Sequence, residues 1–327
     1  MGSIGREEKT PHPGPLPAAR GEGVGSADHP LPDMSDRRSG ITLIEVVVVL
    51  GVIAFLLCMM IPAIIASRGA ADRVSCLNHM KQLVLALHNH EVQRLVLPPG
   101  VVNPTGPIRN IAEEQHISWT VPLLPFMEQG GLSGAIVEGF SAYDPINAKA
   151  SGTRMRTLVC PSDRQGNRTI ARTTAVSSYA GCHHDVEAPI DADNHGVFFL
   201  NSHICHDDLF DGSAYTIFIG EKPIEDSDLG WMSGTRATLR NTGHRPNDPS
   251  LFKAREAGGP AAPRDEFYVG GFGSYHPGGT HFGFGDGSVR FIAQTIDPGV
   301  YRLLGHRDDG EPISSAAFPN SLGAPTK

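Results

Sequence analysis

The sequence predicts an α+β protein in which a long N-terminal helix, membrane-spanning over its first part, packs on an antiparallel β-sheet head with long loops. Three observations carry this. The run Ile41–Ala66 is almost wholly apolar, with Glu45 its single charged residue. A helical stripe continues beyond it through Val74, Leu77, Met80, Val84 and Leu87, at spacings of three and four. Near the C-terminus, Asp286-Gly287 lies between Phe282-Gly283-Phe284 and Val289-Arg290-Phe291, the pattern of a β-hairpin.

The apolar run exceeds the ~20 residues needed to cross a bilayer, and it is longer than the 7–15-residue core of a secretory signal. Arg37 and Arg38 precede it and no acid follows until Asp72. This asymmetry predicts a single pass with a cytoplasmic N-terminus and an extracytoplasmic head. A carboxylate inside a spanning helix costs ~2.5–3.5 kcal/mol when central and less near an end, so Glu45 needs a reason. One helix is expected from about Thr42 to about Val92, with residues 41–66 in the membrane, 67–92 as its extension, and a kink at Pro62. Residues 1–33 are rich in Pro, Gly and Ala and read as disordered. A start at Met34 would leave a short leader ending at Gly40.

Arg37-Arg38-Ser39-Gly40 followed by Ile41-Thr42-Leu43-Ile44-Glu45 resembles the cleavage and methylation motif of type IV prepilins and type II secretion pseudopilins. The resemblance implies a pilin-like fold, cleavage between Gly40 and Ile41 by a prepilin peptidase, N-methylation of Ile41, and Glu45 as the residue that registers one subunit against the next. Lipid and like or related pilin subunits are the further partners it implies. A narrower resemblance covers about Gly40 to Glu311. Arg73-Val74-Ser75-Cys76-Leu77-Asn78, Ser118-Trp119, Cys160-Pro161-Ser162-Asp163, Ser178-Tyr179-Ala180-Gly181-Cys182 and Thr216–Glu221 occur in the order seen in the bacterial family called domain of unknown function 1559. The C-terminal signature of that family, His, nine residues, Asp-Gly, is similar to His276 through Asp286-Gly287.

The head, residues 93–327, is large enough for one core. Strands are expected at Arg156–Cys160, Gly196–Leu200, Tyr215–Gly220 and in the final hairpin, with short helices near 121–129 and 298–304. Residues 222–265 are polar and rich in Gly and Pro, and read as a surface insertion. In the hairpin, a two-residue type I′ turn would set Phe284 against Val289 and Phe282 against Phe291, with Gly283 and Arg290 outward. Asp286 is then a turn residue, which accounts for it better than a metal site of His276, His281 and Asp286.

Charge and motifs narrow the function. The net charge is −8 and no basic face is evident, which argues against a nucleic-acid partner. No nucleophile elbow, phosphate loop, dinucleotide fingerprint or His-Glu-x-x-His is present, so no enzyme activity and no cofactor is expected. His183, His184, Asp185, His195, His203, His206, Asp207 and Asp208 match no compact zinc spacing and read as a polar surface region. Of five cysteines, Cys58 lies in the apolar run, while Cys76, Cys160, Cys182 and Cys205 would face an oxidising compartment. Four cysteines allow three pairings; Cys182 with Cys205 is locally attractive, and free thiols are the alternative. Two functions follow: a membrane-anchored structural subunit acting by assembly or anchoring, or a tethered module that binds a solute, glycan or metal ion.

Overall fold

The computed structural model describes residues 40–163, 165–166, 169, 174–249 and 265–313. The expectations for the leader and the Met34 start, and part of the 222–265 insertion, lie outside these residues. The elements in chain order are helix α1 (Leu43–Arg94), strands β1 (Val101–Val102) and β2 (Ile117–Ser118), the single-turn helices α2 (Gly130–Ser133) and α3 (Ala148–Ser151), strands β3 (Tyr179–His184), β4 (Ile217–Glu221), β5 (Leu239–Asn241), β6 (Gly279–Phe284) and β7 (Val289–Ala293), and helix α4 (Pro298–Gly305). Contacts divide the chain into two compact units, Met1–Leu57 and Cys58–Lys327.

Helix α1 has 52 residues, roughly 78 Å at 1.5 Å per residue, and its helical assignment runs unbroken through Pro62. In the first unit its side chains are all exposed. In the second unit it becomes amphipathic. Cys76, Met80, Leu83, Val84, Ala86, Leu87 and His90 are buried, a stripe at helical spacing. The stripe begins at Cys76: Val74, expected on it, is 58% exposed.

The head sheet has the order β5-β3-β4-β6-β7. Neighbours are antiparallel except β3 and β5, which run parallel, so the sheet is mixed where an antiparallel one was expected. One face receives α1. A Cβ added at Gly283 would lie 2.4 Å from Val84 Cγ2, so only glycine lets the helix approach this closely. The Tyr179 hydroxyl donates to the Cys76 carbonyl of α1 at 3.1 Å, and the Arg73 guanidinium lies 3.9 Å from the centre of the Phe291 ring. The other face holds Ala180, Cys182, Ile217, Phe282, Phe284 and Ile292 against Tyr301 and Leu304 of α4. Asp297 caps α4 by accepting from the Gly299 and Val300 N–H groups.

The hairpin differs from expectation by one residue, and that residue flips its faces. Gly283 pairs with Val289, Phe282 with Arg290 and His281 with Phe291. Gly287 N–H donates to the Phe284 carbonyl at 3.1 Å, and Phe284 N–H donates to the Ser288 carbonyl at 2.9 Å. Within the turn Gly287 alone has positive φ, at 84°. This is a three-residue loop with a glycine bulge, and the extra residue sends Phe282 and Phe284 toward α4 while Val289 and Phe291 belong to the α1 side. Arg290, expected outward, lies 4.5 Å over the Phe284 ring.

Two expected strands are not strands. Arg156–Leu158 is a 3-10 turn. In Gly196–Leu200 the N–H groups of Val197 and Phe198 both reach the Cys182 carbonyl, which bends the chain and leaves one bridge, Leu200 to Val101. The segment 222–249 is not a surface excursion. It supplies β5 and the buried Trp231 and Leu239, and its charges are paired inside: Lys222 with Asp228, and Arg240 with Glu225 at 3.0 Å.

Candidate functional site

The first candidate lies at the start of α1. Thr42 and Glu45 form a capping box: the Glu45 carboxylate accepts from Thr42 N–H at 2.8 Å, and the Thr42 hydroxyl accepts from Glu45 N–H at 3.4 Å. A Thr-x-x-Glu spacing does this because the N-terminal amides of a helix lack internal partners. The spacing is legible in the sequence as Thr42-Leu43-Ile44-Glu45. Gly40 and Ile41 precede the helix and are exposed. Leu43–Ile61 follows with a mean hydropathy of 2.9 and none of that window buried, which is long and apolar enough to cross a membrane.

The second candidate is inside the head, where four of the sequence motifs converge on one carboxylate. Glu221, at the end of β4, is 1% exposed. His276 Nε2 lies 3.1 Å from its Oε1, and His281 Nδ1 lies 3.2 Å from its Oε2. The His281 backbone N–H donates to the same Oε2 at 2.9 Å. Next to this group Cys76 of α1 is joined to Cys160 by a disulfide, and Cys160 Sγ lies 3.6 Å from His276 Nε2. Burial alone would raise the Glu221 carboxyl, but the His276 and His281 contacts outweigh it and bring it down to about 2. The cluster ties α1, the segment after α3, β4 and the β6 loop together. All five side chains are buried.

The remaining sequence-predicted residues sort differently. Asp286 does not join His276 and His281. It accepts from Ser288 N–H at 2.9 Å and pairs with Arg290 at 2.9 Å, which is the role of a turn residue. Cys182 and Cys205 are unpaired with each other. Cys182 is buried, its thiol facing the Gly305 carbonyl at 3.8 Å and its pKa pushed up by that burial; Cys205 Sγ donates to Asp208 at 3.2 Å. Trp119 and Trp231 are core residues with no exposed surface. The histidine-rich region is only partly a surface. His183 and His184 lie buried on β3, and burial lowers His183 to about 4. His206 pairs with Glu91 of α1 at 2.7 Å.

A cleft of about 720 Å³ opens beside the end of α1, lined by His90, Arg94, Val102, Ile117, Phe126 and Phe140 among others. Most of its exposed lining is apolar.

Cys76, Cys160, Glu221 and His276, far apart in the chain, thus converge in the fold. A family model described as protein of unknown function (DUF1559) matches residues 66–299, most of the chain. The chain belongs to the DUF1559 family. The match takes in the second half of α1, the whole of the sheet and the buried cluster, and it ends at the start of α4. No curated protein and no solved structure gives a significant match.

Proposed function

We propose that this DUF1559 protein is a pilin-like, membrane-anchored structural subunit that works by assembly or anchoring and not by turnover. A prepilin peptidase cleaves it between Gly40 and Ile41, and the head lies outside the cytoplasmic membrane. The observation that carries this reading is the division of α1. Its first part is apolar on every side and wholly exposed, while its continuation buries one face in the core of the head. So much exposed apolar surface is out of place in water and natural in lipid or among like helices. Cleavage would free an amine at Ile41, one turn from Glu45, where a neighbouring subunit or the same chain can pair with it.

The capping box makes the test sharper. Glu45→Ala removes both charge and cap, whereas Glu45→Gln keeps a capping side chain and removes the charge. The expected result is that both variants are processed normally and both fail to form subunit–subunit cross-links in the membrane. Wild-type cross-linking in Glu45→Gln would reduce Glu45 to a helix cap and overturn the assembly role. Gly40→Ala is expected to leave the precursor uncleaved.

A tethered binding module is the second reading, favoured by the apolar cleft of about 720 Å³. Its size suits a small solute. A ligand-dependent rise in the unfolding temperature of the full chain in detergent would support it.

A further inference from the structure

The fold brings His195 to the adjacent pair His184 and Asp185. His184 ends β3, Asp185 follows it, and His195 comes from the next loop. His184 Nδ1 lies 2.7 Å from Asp185 Oδ1, and His195 Nδ1 lies 2.9 Å from the same oxygen. We propose that His184, Asp185 and His195 form a binding site for a first-row divalent cation of the zinc class.

Four features argue for it. First, three donor atoms converge: His184 Nδ1, His195 Nδ1 and an Asp185 carboxylate oxygen all lie within 4.8 Å of one another. Second, the donor set is two imidazoles and one carboxylate, which suits zinc and its neighbours better than calcium or magnesium. Third, the ligands are held. The second carboxylate oxygen of Asp185 accepts from Arg302 at 3.1 Å. Arg307 donates to the carbonyls on both sides of His195, Asn194 at 2.7 Å and Gly196 at 2.9 Å. Support of this kind fixes ligand geometry in advance. Fourth, the site has a closed wall and an open mouth. His184 and Asp185 side chains are each 10% exposed and that of His195 is 48% exposed. The His306 ring lies 4.5 Å from that of His195 on this open side, where a bound water would complete the tetrahedron of a zinc ion.

The test uses the full chain purified in detergent and stripped with a chelator. Cobalt(II) is titrated in and followed by its visible absorption, then displaced by zinc(II). The expected result is one equivalent bound, a band of tetrahedral or five-coordinate intensity, and displacement by zinc but not by magnesium or calcium. His195→Gln, at a half-exposed side chain, is expected to weaken cobalt binding at least 10-fold, with Asp185→Asn similar or stronger. His203→Gln, at an exposed histidine outside the cluster, is expected to change nothing. Circular dichroism of each variant checks that it is folded. Absence of saturable one-equivalent binding, or wild-type affinity in a folded His195→Gln variant, would overturn the site.

Discussion

The two parts of α1 obey different rules within one continuous helix. Over Leu43–Ile61 no face is distinguished: every side chain is apolar or small apart from Glu45, and all are exposed. From Cys76 to His90 one face is buried against the sheet and the opposite face carries Lys81, Gln82 and Asn89. The difference teaches what each part is fitted to. An all-round apolar helix answers to a solvent such as lipid or to like helices around it, and none of this window is buried among the described residues. A striped helix answers to its own fold, so its substitutions register in the stability of the head.

The contrast can be broken by mutation. The largest effect is expected from Cys76→Ser. The disulfide closes a loop with a sequence separation of 84 residues, worth about 4.5 kcal/mol by the chain-entropy account. Its loss should lower the unfolding temperature of the head sharply, while Cys58→Ser, at an exposed cysteine of the apolar run, should leave it unchanged. Leu87→Ala comes next, at about 3 kcal/mol for a fully buried leucine, against no measurable change for Leu50→Ala, where the side chain is 59% exposed. Denaturant unfolding of both variants in detergent checks the pair. The glycines give a finer version. A methyl group at Gly283 would meet Val84 and Ile219, so Gly283→Ala should cost about 1–3 kcal/mol. At Gly51 nothing lies within 4 Å of an added Cβ, and Gly51→Ala should be neutral or favour the helix.

Acid is the mildest perturbation and should act on the head alone. His183, lowered to about 4 by burial, binds protons more readily unfolded than folded, so stability is full above about pH 6.5 and falls as pH drops toward 4. Glu221, lowered to about 2 by its histidines against the opposing effect of burial, adds a second loss as pH falls below about 4.5. A melting temperature that stayed flat from pH 7 to pH 3 would contradict both assignments.

The same contrast explains what the sequence revealed. The apolar run, the helix limits and α4 were legible because they rest on local properties: hydropathy, period and a proline after an Asp cap. The hairpin was legible in place but not in register, because Asp286-Gly287 fits a two-residue turn and the choice of a three-residue loop rests on where Phe284 and Val289 pack. The buried cluster was legible only as scattered motifs. Nothing local joins Cys160 to Cys76, and Cys182 to Cys205 looked better because it is shorter. Glu221 ends a strand motif, and an acid closing a run of Ile217, Phe218 and Ile219 is a signal that something must pair with it. The segment 222–249 misled by composition, since its Lys222 and Arg240 are charged yet fully buried against Asp228 and Glu225.

The N-terminus of the protein recovered from membranes tests processing and anchoring most directly. Intact-mass and N-terminal fragmentation spectra should show a chain that starts at Ile41, one methyl group heavier than the bare sequence, with residues 41–61 retained. A membrane-bound chain that still carries Arg37-Arg38-Ser39, or a head released without the apolar part of α1, would contradict it.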